Sequence, residues 1–382
     1  LLENERIDDL QIRSLSIIQR TDGFCFGCDA VLLSHFASVK KGDRVLDLCA
    51  APGGKTTDLA ASLREVCGDR YLLVANEVMK ARVGVLADNV ALWGDPNVVV
   101  TSDDPRAFAA LPGFFDVIVA DVPCSGEGMF RKDEQAQQQW SEDNVALCEA
   151  RQKRIIADVW PALATQGIMI YSTCTFNRYE NDLNVEWIAR ELGAESLLDH
   201  NALGVSGGII ATEHGYSLVP GHVEGEGQYC AALQKTSGSL PGVVDIQPLR
   251  KKDRNKAQQK PAPIPEDIRS LFSTDVTLRQ KGDMVIALPS ALCSDVQMLE
   301  SFLHVLTAGC AVGVLKGRTL VPDADLALSI MLSPDAFPSA EVDLKTALAF
   351  LHKDAIVLPD AEKGYVLIRY EGLPIGFVKN LG

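Results

Sequence analysis

The stretch VLDLCAAPGGKTT, Val45 to Thr57, decides the fold predicted for this chain. Its apolar start predicts a buried strand, its small residues predict a loop, and KTTDLAASL continues as a helix. Small residues let a ligand approach the backbone closely, and α/β folds bind nucleotides at the carboxyl end of such a strand. The loop lacks the spacing of a Walker P-loop and of a dinucleotide-binding GxGxxG. A purely structural turn between strand and helix is the alternative interpretation.

From residue 44 to about residue 235, short apolar runs alternate with helical patterns. The further predicted strands are YLLVAN (71–76), NVVV (97–100), FFDVIVAD (114–121) and GIMIYST (167–173). Helical patterns such as KARVGVLADNVALWG lie between them. Alternation of this kind predicts an α/β fold whose mostly parallel sheet carries helices on both faces.

Acidic residues follow the next two predicted strands. Glu77 ends the second strand, where related folds place a carboxylate that accepts both hydroxyls of a ribose. Asp103 and Asp104 end the third strand and are candidates for binding an adenine amino group. Any one of these acids alone is typical of a solvated loop. Three elements in order, each at the end of its strand, favour a nucleotide-like cofactor.

Two cysteines also follow apolar runs: Cys124 in VADVPCSGEGMF and Cys174 in IYSTCTF. Free cysteine is among the most buried residue types, so burial without function is the alternative for either of them. Cys25 and Cys28 form a CxxC with no second pair nearby, which predicts neither a zinc site nor a thioredoxin-like dithiol. Burial is the preferred interpretation for the remaining candidates, Cys148, Cys230, Cys293 and Cys310.

The motifs DLCAAPGGKTT, ANE, SDDP, DVPCSGEGMFRKD and YSTCTF, in this order, resemble the Nol/Nop/Sun family of RNA cytosine-5 methyltransferases. The resemblance extends from about Gly42 to Lys235, where VPGHVEGEGQYCAALQK is similar to a late antiparallel strand pair of the family. LKGRTLVPDADLALS and GLPIGFVKNLG resemble the tail of bacterial rRNA methyltransferases of the RsmF type, which is pseudouridine-synthase-archaeosine (PUA)-like. The resemblance implies a class I, Rossmann-like methyltransferase fold with a smaller α+β PUA-like domain.

The resemblance also implies S-adenosyl-L-methionine as cofactor and RNA, more readily rRNA than tRNA, as substrate, with no metal. It implies Cys174 as the nucleophile and Cys124 as the group that helps to release the product. Asp121, at the end of the strand that leads to Cys124, is expected to hydrogen-bond the N3/N4 edge of cytosine. By position, the cofactor site comprises Cys49, Ala50, Ala51, Pro52, Gly53, Gly54, Lys55, Glu77, Asp104 and Asp121.

The chemistry of this reaction explains why two thiols are needed. C5 of cytosine is a poor nucleophile because the ring is aromatic. A thiolate that adds to C6 breaks the aromaticity and makes C5 enamine-like, so that C5 can take a methyl group. The C5 proton must then leave and the thiol must be eliminated, which a second group assists. Since a free thiol has a pKa of roughly 8.5, Cys174 needs a nearby cation, either Lys55 or the sulfonium of the cofactor.

The predicted domains are a catalytic domain at 42–235, a basic, Pro-rich linker at 236–265 and a PUA-like RNA-binding domain at 266–382. The chain stops earlier than expected for such a tail. Residues 1–41 are atypical of the family, since NERIDDLQIRSLSIIQRTDGFCFGCDAVLLSHFASVKKGD resembles the opening of bacterial tRNA adenine-N6 methyltransferases. A hybrid or engineered origin is one interpretation of this junction.

Composition narrows the function further. A chain of 382 residues predicts two or more domains. Its net charge of −15 opposes nucleic-acid binding through bulk charge, although a local groove can still be basic.

We expect a cytoplasmic protein with no membrane partner, because it shows neither a membrane-spanning apolar run nor a secretory signal. Its ten scattered cysteines are typical of reduced thiols, and the sequence does not indicate an oligomeric state.

Two other functions stay open at this point. The hypothesis of a tRNA adenine-N6 methyltransferase is based on the N-terminal segment alone. Those enzymes carry Asn-Pro-Pro-Tyr where this chain has Asp121, Val122, Pro123 and Cys124. A catalytically inactive RNA-binding ribosome-assembly factor fits the acidic charge and the atypical N-terminus. The intact cysteine motifs and cofactor loop oppose that second alternative.

Overall fold

The computed structural model describes residues 4–9, 16–20, 33, 36–37, 39–131, 134–198, 209–223, 227–236, 264–317 and 319–381. The CxxC at Cys25 and Cys28 and most of the predicted linker lie outside these residues. The chain divides into two compact units. The first comprises Leu1–Arg82 and Ser102–Gln247, and the second comprises Val83–Thr101 and Pro248–Gly382.

The described helices are α1 (Gly54–Cys67), α2 (Lys80–Trp93), α3 (Glu134–Gln139), α4 (Glu142–Val159), α5 (Asp182–Leu192), α6 (Cys293–Phe302), α7 (Ala324–Leu328) and α8 (Leu344–Leu351). The strands up to residue 235 are β1 (Glu5–Asp9), β2 (Ser16–Arg20), β3 (Arg44–Asp47), β4 (Leu72–Asn76), β5 (Val98–Thr101), β6 (Phe115–Asp121), β7 (Leu163–Thr173), β8 (Ala194–Ser196), β9 (Ile209–Ala211), β10 (Tyr216–Leu218) and β11 (Gln228–Lys235). Those that follow are β12 (Val276–Lys281), β13 (Met284–Pro289), β14 (Val305–Ala308), β15 (Cys310–Lys316), β16 (Thr319–Pro322), β17 (Ser339–Glu341), β18 (Gly364–Tyr370) and β19 (Leu373–Asn380). No helix among the described residues is long and apolar enough to cross a membrane.

The sheet of the first unit has the order β4-β3-β6-β7-β11-β10-β9, and β8 pairs with the outer side of β11. The four strands from β4 to β7 are parallel, whereas β11, β10 and β9 are antiparallel to their neighbours. The predicted α/β fold with a parallel sheet and a late antiparallel pair is confirmed. Because the carboxyl ends of parallel strands meet at one edge, the loops after β3, β4, β6 and β7 converge there.

Burial explains why the central strands read as continuous apolar runs. All five residues of β4 are buried, as are most of β6 and the last five residues of β7. Strands that are covered by helices on both faces need apolar residues on both faces. The strand β7 begins at Leu163, four residues before the predicted start, and Gln166 there has a positive φ of 66°.

The start of α4 follows from its sequence. Ser141 caps the helix by accepting a hydrogen bond from the Asn144 backbone N–H at 3.1 Å. Glu142 and Asp143 lie in the first turn, where negative side chains interact favourably with the helix dipole. The buried face of α4 includes Cys148 and Gln152. Gln152 is a polar residue at a core position, and its partners lie at the candidate site.

The second unit is mixed α and β, as predicted for residues 266–382, and it also contains residues 83–101 of the range predicted as the catalytic domain. Its strand β5 pairs antiparallel with β14, and β12, β13, β15 and β16 form an antiparallel sheet. A three-stranded sheet of β17, β18 and β19 follows. The helix α8, predicted from DLKTALAFLHK, is capped by Asp343, which accepts from the Thr346 N–H at 2.8 Å.

Candidate active site

The loop after β3 is held against its two neighbouring strands by backbone hydrogen bonds. Leu48 N–H donates to the Val119 carbonyl and Ala50 N–H donates to the Asn76 carbonyl, both at 2.9 Å. Gly53 then takes a φ of 122°, a conformation that favours glycine, and α1 begins at the next residue. The loop from Cys49 to Lys55 therefore crosses the carboxyl edge of the sheet, as the sequence predicts.

Asp47, the last residue of β3, is an acid that the sequence analysis did not select. Its side chain is fully buried, and its Oδ2 accepts from the Thr56 hydroxyl at 2.7 Å. Its Oδ1 is buried without a hydrogen-bond partner among the described residues. Burial raises the pKa of Asp47 to about 6, although the nearby Lys55 and the Thr56 hydroxyl oppose the shift. In the sequence, Asp47 can be recognised as a charged residue inside an apolar run.

Lys55 and Asp121 form an ion pair in which Nζ and Oδ2 are 2.7 Å apart. Burial would lower the pKa of Lys55, but the carboxylates of Asp121 and Asp47 outweigh it and hold the pKa above its usual range. Lys55 is thus charged and its charge is directed at Asp121. Burial, together with the same carboxylates, raises the pKa of Cys49, which keeps that thiol protonated at neutral pH.

Glu77 lies at the end of β4 with 4% of its surface exposed. One carboxylate oxygen accepts from the Met79 N–H at 2.8 Å, and the other is 3.5 Å from the Arg82 guanidinium. Arg82 also donates to the Ala51 carbonyl at 2.6 Å. Arg82 therefore links Glu77 to the loop after β3.

The two acids after the third predicted strand differ in their surroundings. Asp103 is buried, and its backbone N–H and carbonyl both bond to the Asn76 side chain at 3.0 Å. Asp104 is exposed, caps the short 3-10 helix Pro105–Ala110, and lies 3.5 Å from Arg154. Of these two acids, Asp104 is the one whose carboxylate is accessible to a ligand.

The two cysteines selected from the sequence meet at the ends of β6 and β7. The Sγ atoms of Cys124 and Cys174 are 3.0 Å apart, and both side chains are half-buried free thiols. The hydrogen bond to Cys174, burial and the nearby Asp121 carboxylate raise the pKa of Cys124 well above its usual range. Because Asp121 pairs with Ser172 across the parallel strands, both cysteine loops leave the sheet at the same level.

Hydrogen bonds join the two cysteine loops directly. Ser125 Oγ and Thr175 Oγ1 are 3.2 Å apart, and the Gly128 N–H donates to the Cys174 carbonyl at 2.9 Å. Glu127 accepts from the backbone N–H groups of Phe176 and Asn177 at 2.6 and 3.0 Å. These hydrogen bonds fix the position of one loop against the other.

Glu127 is a further residue that the sequence analysis did not select. Burial would raise its pKa, but hydrogen bonds from the Thr175 hydroxyl, the Phe176 backbone, the Asn177 side chain and the Trp140 indole lower it overall. Glu127 is therefore a carboxylate that is stabilised in its charged form. The Gly-Glu-Gly sequence around Glu127 does not indicate which distant residues bond to its carboxylate.

The other cysteines largely follow the expectation of burial. Cys148, Cys230 and Cys310 are buried, whereas Cys293 is half-buried at the start of α6. Among the described residues, no group of three or more His, Cys, Asp or Glu side chains is arranged to hold a metal ion.

A parallel sheet whose strand ends carry a small-residue loop, buried acids and two apposed cysteines defines a class I S-adenosylmethionine-dependent methyltransferase. The family model described as 16S rRNA methyltransferase RsmB/F matches residues 35–234. The family model described as the methyltransferase RsmF PUA domain matches residues 337–382. The chain belongs to the RsmB/F family of rRNA methyltransferases.

Individual relatives agree with this assignment. Ribosomal RNA small subunit methyltransferase F of Pectobacterium atrosepticum is 32% identical over 357 residues, which cover 88% of this chain and 70% of the relative. The protein of the same name from Serratia proteamaculans is 32% identical over 361 residues, which cover 91% and 72%. The crystal structure of PH0851 has a TM-score of 0.52 at 21% identity, covers 61% of this chain and 54% of that chain, and shows the likeness of fold. The predicted family, fold class and cofactor are confirmed.

The residues present fit S-adenosylmethionine, which carries two cationic groups and a ribose diol. Asp47, Glu77 and Asp121 lie close enough for each of the other two to raise the pKa of Asp47. This concentration of negative charge around a glycine loop suits a cationic ligand. The unpartnered Oδ1 of Asp47 marks an acceptor that a donor or cation can satisfy.

Proposed function

We propose that this protein methylates C5 of a cytosine in rRNA, with Cys174 as the nucleophile, Cys124 as the group that assists release, and Asp121 as the group that binds the base edge. The observation that carries the proposal is the 3.0 Å separation of the Cys124 and Cys174 sulfur atoms at adjacent strand ends. One thiol can add to C6, and a second group at the same place can assist release, a role for which the neighbouring thiol is available. The RsmB/F family match supports rRNA as the substrate.

The first step is the addition of the Cys174 thiolate to C6, which forms a sulfur–carbon bond and moves an electron pair towards N3 and C5. Asp121 lies at the end of the strand next to that of Cys174 and is partly exposed. A carboxyl group there can hydrogen-bond the N3/N4 edge and stabilise the ring as its charge changes. Lys55, at 2.7 Å, holds Asp121 in place.

S-adenosylmethionine supplies the methyl group when it is bound. The residues that would hold it are the loop Cys49–Lys55, with Glu77 at the ribose, Asp104 at the adenine and Asp121 beside the loop. We add the buried Asp47 to this set because its Oδ1 is an acceptor that has no hydrogen-bond partner among the described residues.

In the last step the C5 proton leaves, the Cys174–C6 bond breaks, and the ring becomes aromatic again. The C5 proton passes to water, the electron pair of the C5–H bond re-forms the C5–C6 double bond, and the Cys174 sulfur leaves with the pair of the S–C6 bond. Cys124 lies in hydrogen-bond contact with that sulfur and is the nearest candidate to assist its departure. The raised pKa of Cys124 means that it begins the cycle protonated.

We also propose that residues 42–235 are the catalytic domain, that 236–265 are a linker and that 266–382 bind RNA. The family match at 35–234 supports the first range, and the match at 337–382 supports an RNA-binding domain at the end of the third.

The test is transfer of a tritiated methyl group from S-adenosylmethionine to a 16S rRNA transcript, followed by nucleoside analysis. The proposal predicts label in 5-methylcytidine. A parallel reaction with tRNA tests the adenine-N6 alternative, which predicts label in N6-methyladenosine. Binding of the transcript without any transfer of label would favour an inactive RNA-binding factor.

A further inference from the structure

Two consecutive residues, Glu180 and Asn181, lie beneath the two cysteine loops, immediately before α5. Glu180 is fully buried and Asn181 is 2% exposed. Neither belongs to a sequence motif assigned above to the cofactor or to the reacting base. A buried carboxylate and a buried amide need hydrogen-bond partners, and the identity of those partners indicates what the residues do.

Glu180 reaches the loop that carries Cys124. Its Oε2 accepts from the Ser125 N–H at 3.0 Å and from the Gln152 side-chain amide at 2.7 Å. The same Gln152 nitrogen donates to the Pro123 carbonyl at 3.0 Å. The peptide groups on both sides of Cys124 are therefore fixed by Glu180 and its partner Gln152.

Asn181 makes the corresponding hydrogen bonds around Cys174. Its Oδ1 accepts from the Thr173 hydroxyl at 2.6 Å, and its Nδ2 donates to the Thr175 carbonyl at 2.8 Å. The residues that precede and follow Cys174 are thus both bound to one amide. Asn181 therefore holds the chain on both sides of the Cys174 thiol.

Further hydrogen bonds hold Glu180 and Gln152 in place. The Tyr171 hydroxyl donates to the Glu180 carbonyl at 2.6 Å, and Asn177 donates to the second carboxylate oxygen at 2.8 Å. The Asn184 side-chain amide donates to the Gln152 side-chain oxygen at 2.7 Å, which fixes the orientation of the Gln152 amide. The side-chain polar atoms of Glu180 and Gln152 all have partners, which favours a single geometry, whereas the Oδ1 of Asn184 has none among the described residues.

We propose that Glu180 and Asn181 are the positioning residues of the reaction, with Glu180 holding Cys124 and Asn181 holding Cys174. Because the two residues are consecutive, one short piece of backbone sets the separation of the two sulfur atoms. The assignment of separate steps to them rests on the proposed roles of the two cysteines. Glu180 is then linked to release of the product, and Asn181 to addition at C6.

The experiment measures the two steps separately. The initial rate of covalent trapping on RNA that contains 5-fluorocytosine reports addition. The fraction of protein that carries ordinary cytosine RNA through a denaturing gel in the steady state reports slow release. The variants Cys124→Ala and Cys174→Ala calibrate both measurements.

Glu180→Gln keeps the shape of the side chain but leaves one acceptor oxygen for three donors. We expect near-normal trapping, turnover slower by about tenfold, and accumulation of bound RNA, as for loss of a buried charged hydrogen bond. Asn181→Asp keeps the acceptor for Thr173 but removes the donor to the Thr175 carbonyl. We expect trapping slower by about tenfold, without accumulation.

Glu186→Gln is the control, because Glu186 is an exposed residue on α5 whose carboxylate is 3.9 Å from Arg190. If a positioning variant does not fold, Gln152→Met tests the Cys124 branch and Thr173→Val tests the Cys174 branch with the same expectations. Equal effects of the Glu180 and Asn181 variants on both steps, or no effect on either, would overturn the proposal. If the two cysteine variants themselves do not differ, the proposed roles of the cysteines are wrong instead.

Discussion

The sulfur atoms of Cys124 and Cys174 lie 3.0 Å apart although fifty positions separate the two residues along the chain. The parallel register of β6 and β7 brings them together, since Asp121 is aligned with Ser172 and each cysteine follows shortly after. The hydrogen bond raises the pKa of Cys124, so Cys124 is the partner that keeps its proton. Cys174 is the thiol that we propose as the nucleophile.

This relationship predicts an order of chemical labelling. With iodoacetamide at pH 7.5, we expect Cys174 to be alkylated before Cys124, because the thiolate is the reactive form and the pKa of Cys124 lies above its usual range. Between pH 7 and pH 9 the labelling of Cys124 should stay slow, since its proton is still bound. Peptide mapping by mass spectrometry measures both sites. Faster labelling of Cys124 would contradict the assignment.

Glu77 gives a prediction on cofactor binding. Glu77→Ala should weaken the binding of S-adenosylmethionine, measured by calorimetry, by about 1–3 kcal/mol, as for loss of charged hydrogen bonds. Glu195→Ala, at an exposed position of β8, is the control. Unchanged affinity in the Glu77 variant means that Glu77 does not bind the ribose.

Asp47 gives a prediction on stability and pH. Its pKa is raised from 3.8 to about 6 on folding, so its favourable contribution is complete below pH 3.8 and is lost as the pH rises through 6. Well above pH 6 the carboxyl group is charged in the folded protein, and this buried charge makes folding less favourable by about 3 kcal/mol than it is with the neutral group. Asp47→Asn should therefore raise the free energy of unfolding at pH 8 by up to about this amount, and by less at pH 5.

The same substitution should weaken the binding of S-adenosylmethionine, because the negative charge and an acceptor are removed. Urea unfolding at both pH values and calorimetry with the cofactor measure the two effects. A variant that is less stable at pH 8, or that binds the cofactor as tightly as the parent protein, would show that Asp47 has another role.

Residues that lie at strand ends could be predicted from the sequence. Apolar runs identify the parallel strands, whose ends meet at one edge, and Glu77, Asp121, Cys124 and Cys174 lie at that edge in the structure. The family resemblance then supplied their expected roles. Those roles stay predictions until the variants are measured.

Residues that act through partners in distant segments could not be predicted in this way. Glu180 bonds to Ser125, and Asn181 bonds to both sides of Cys174, but neither interaction has a periodic or local signature. Asp47 appeared as one polar residue in an apolar strand. That its Oδ2 bonds to Thr56 while its Oδ1 has no partner among the described residues depends on the folded loop and cannot be read from the sequence.

The basic run Arg250 to Lys260, which lies outside the described residues, gives a prediction on RNA binding. Replacing Arg250, Lys251, Lys252 and Arg254 with Ser should flatten the dependence of log K on log salt, by roughly 0.7–0.9 for each phosphate group that the variant no longer neutralises. Arg154 is expected to contribute less, since it lies 3.5 Å from Asp104 and 3.6 Å from Asp158.

Arg190→Ser removes an exposed charge from α5 and serves as the control for the salt series. An unchanged slope in the four-residue variant would mean that the linker is a tether and that the basic surface lies elsewhere.

Covalent trapping tests the central claim most directly. The protein is incubated with S-adenosylmethionine and an rRNA fragment that contains 5-fluorocytosine, and the adduct is digested and mapped by mass spectrometry. Fluorine at C5 leaves no proton to remove, so the Cys174–C6 bond cannot be eliminated once the methyl group is in place. We predict an adduct at Cys174 in the parent protein and in Cys124→Ala, and none in Cys174→Ala. An adduct that persists in Cys174→Ala, or its absence from a parent protein that forms 5-methylcytidine, would contradict the account.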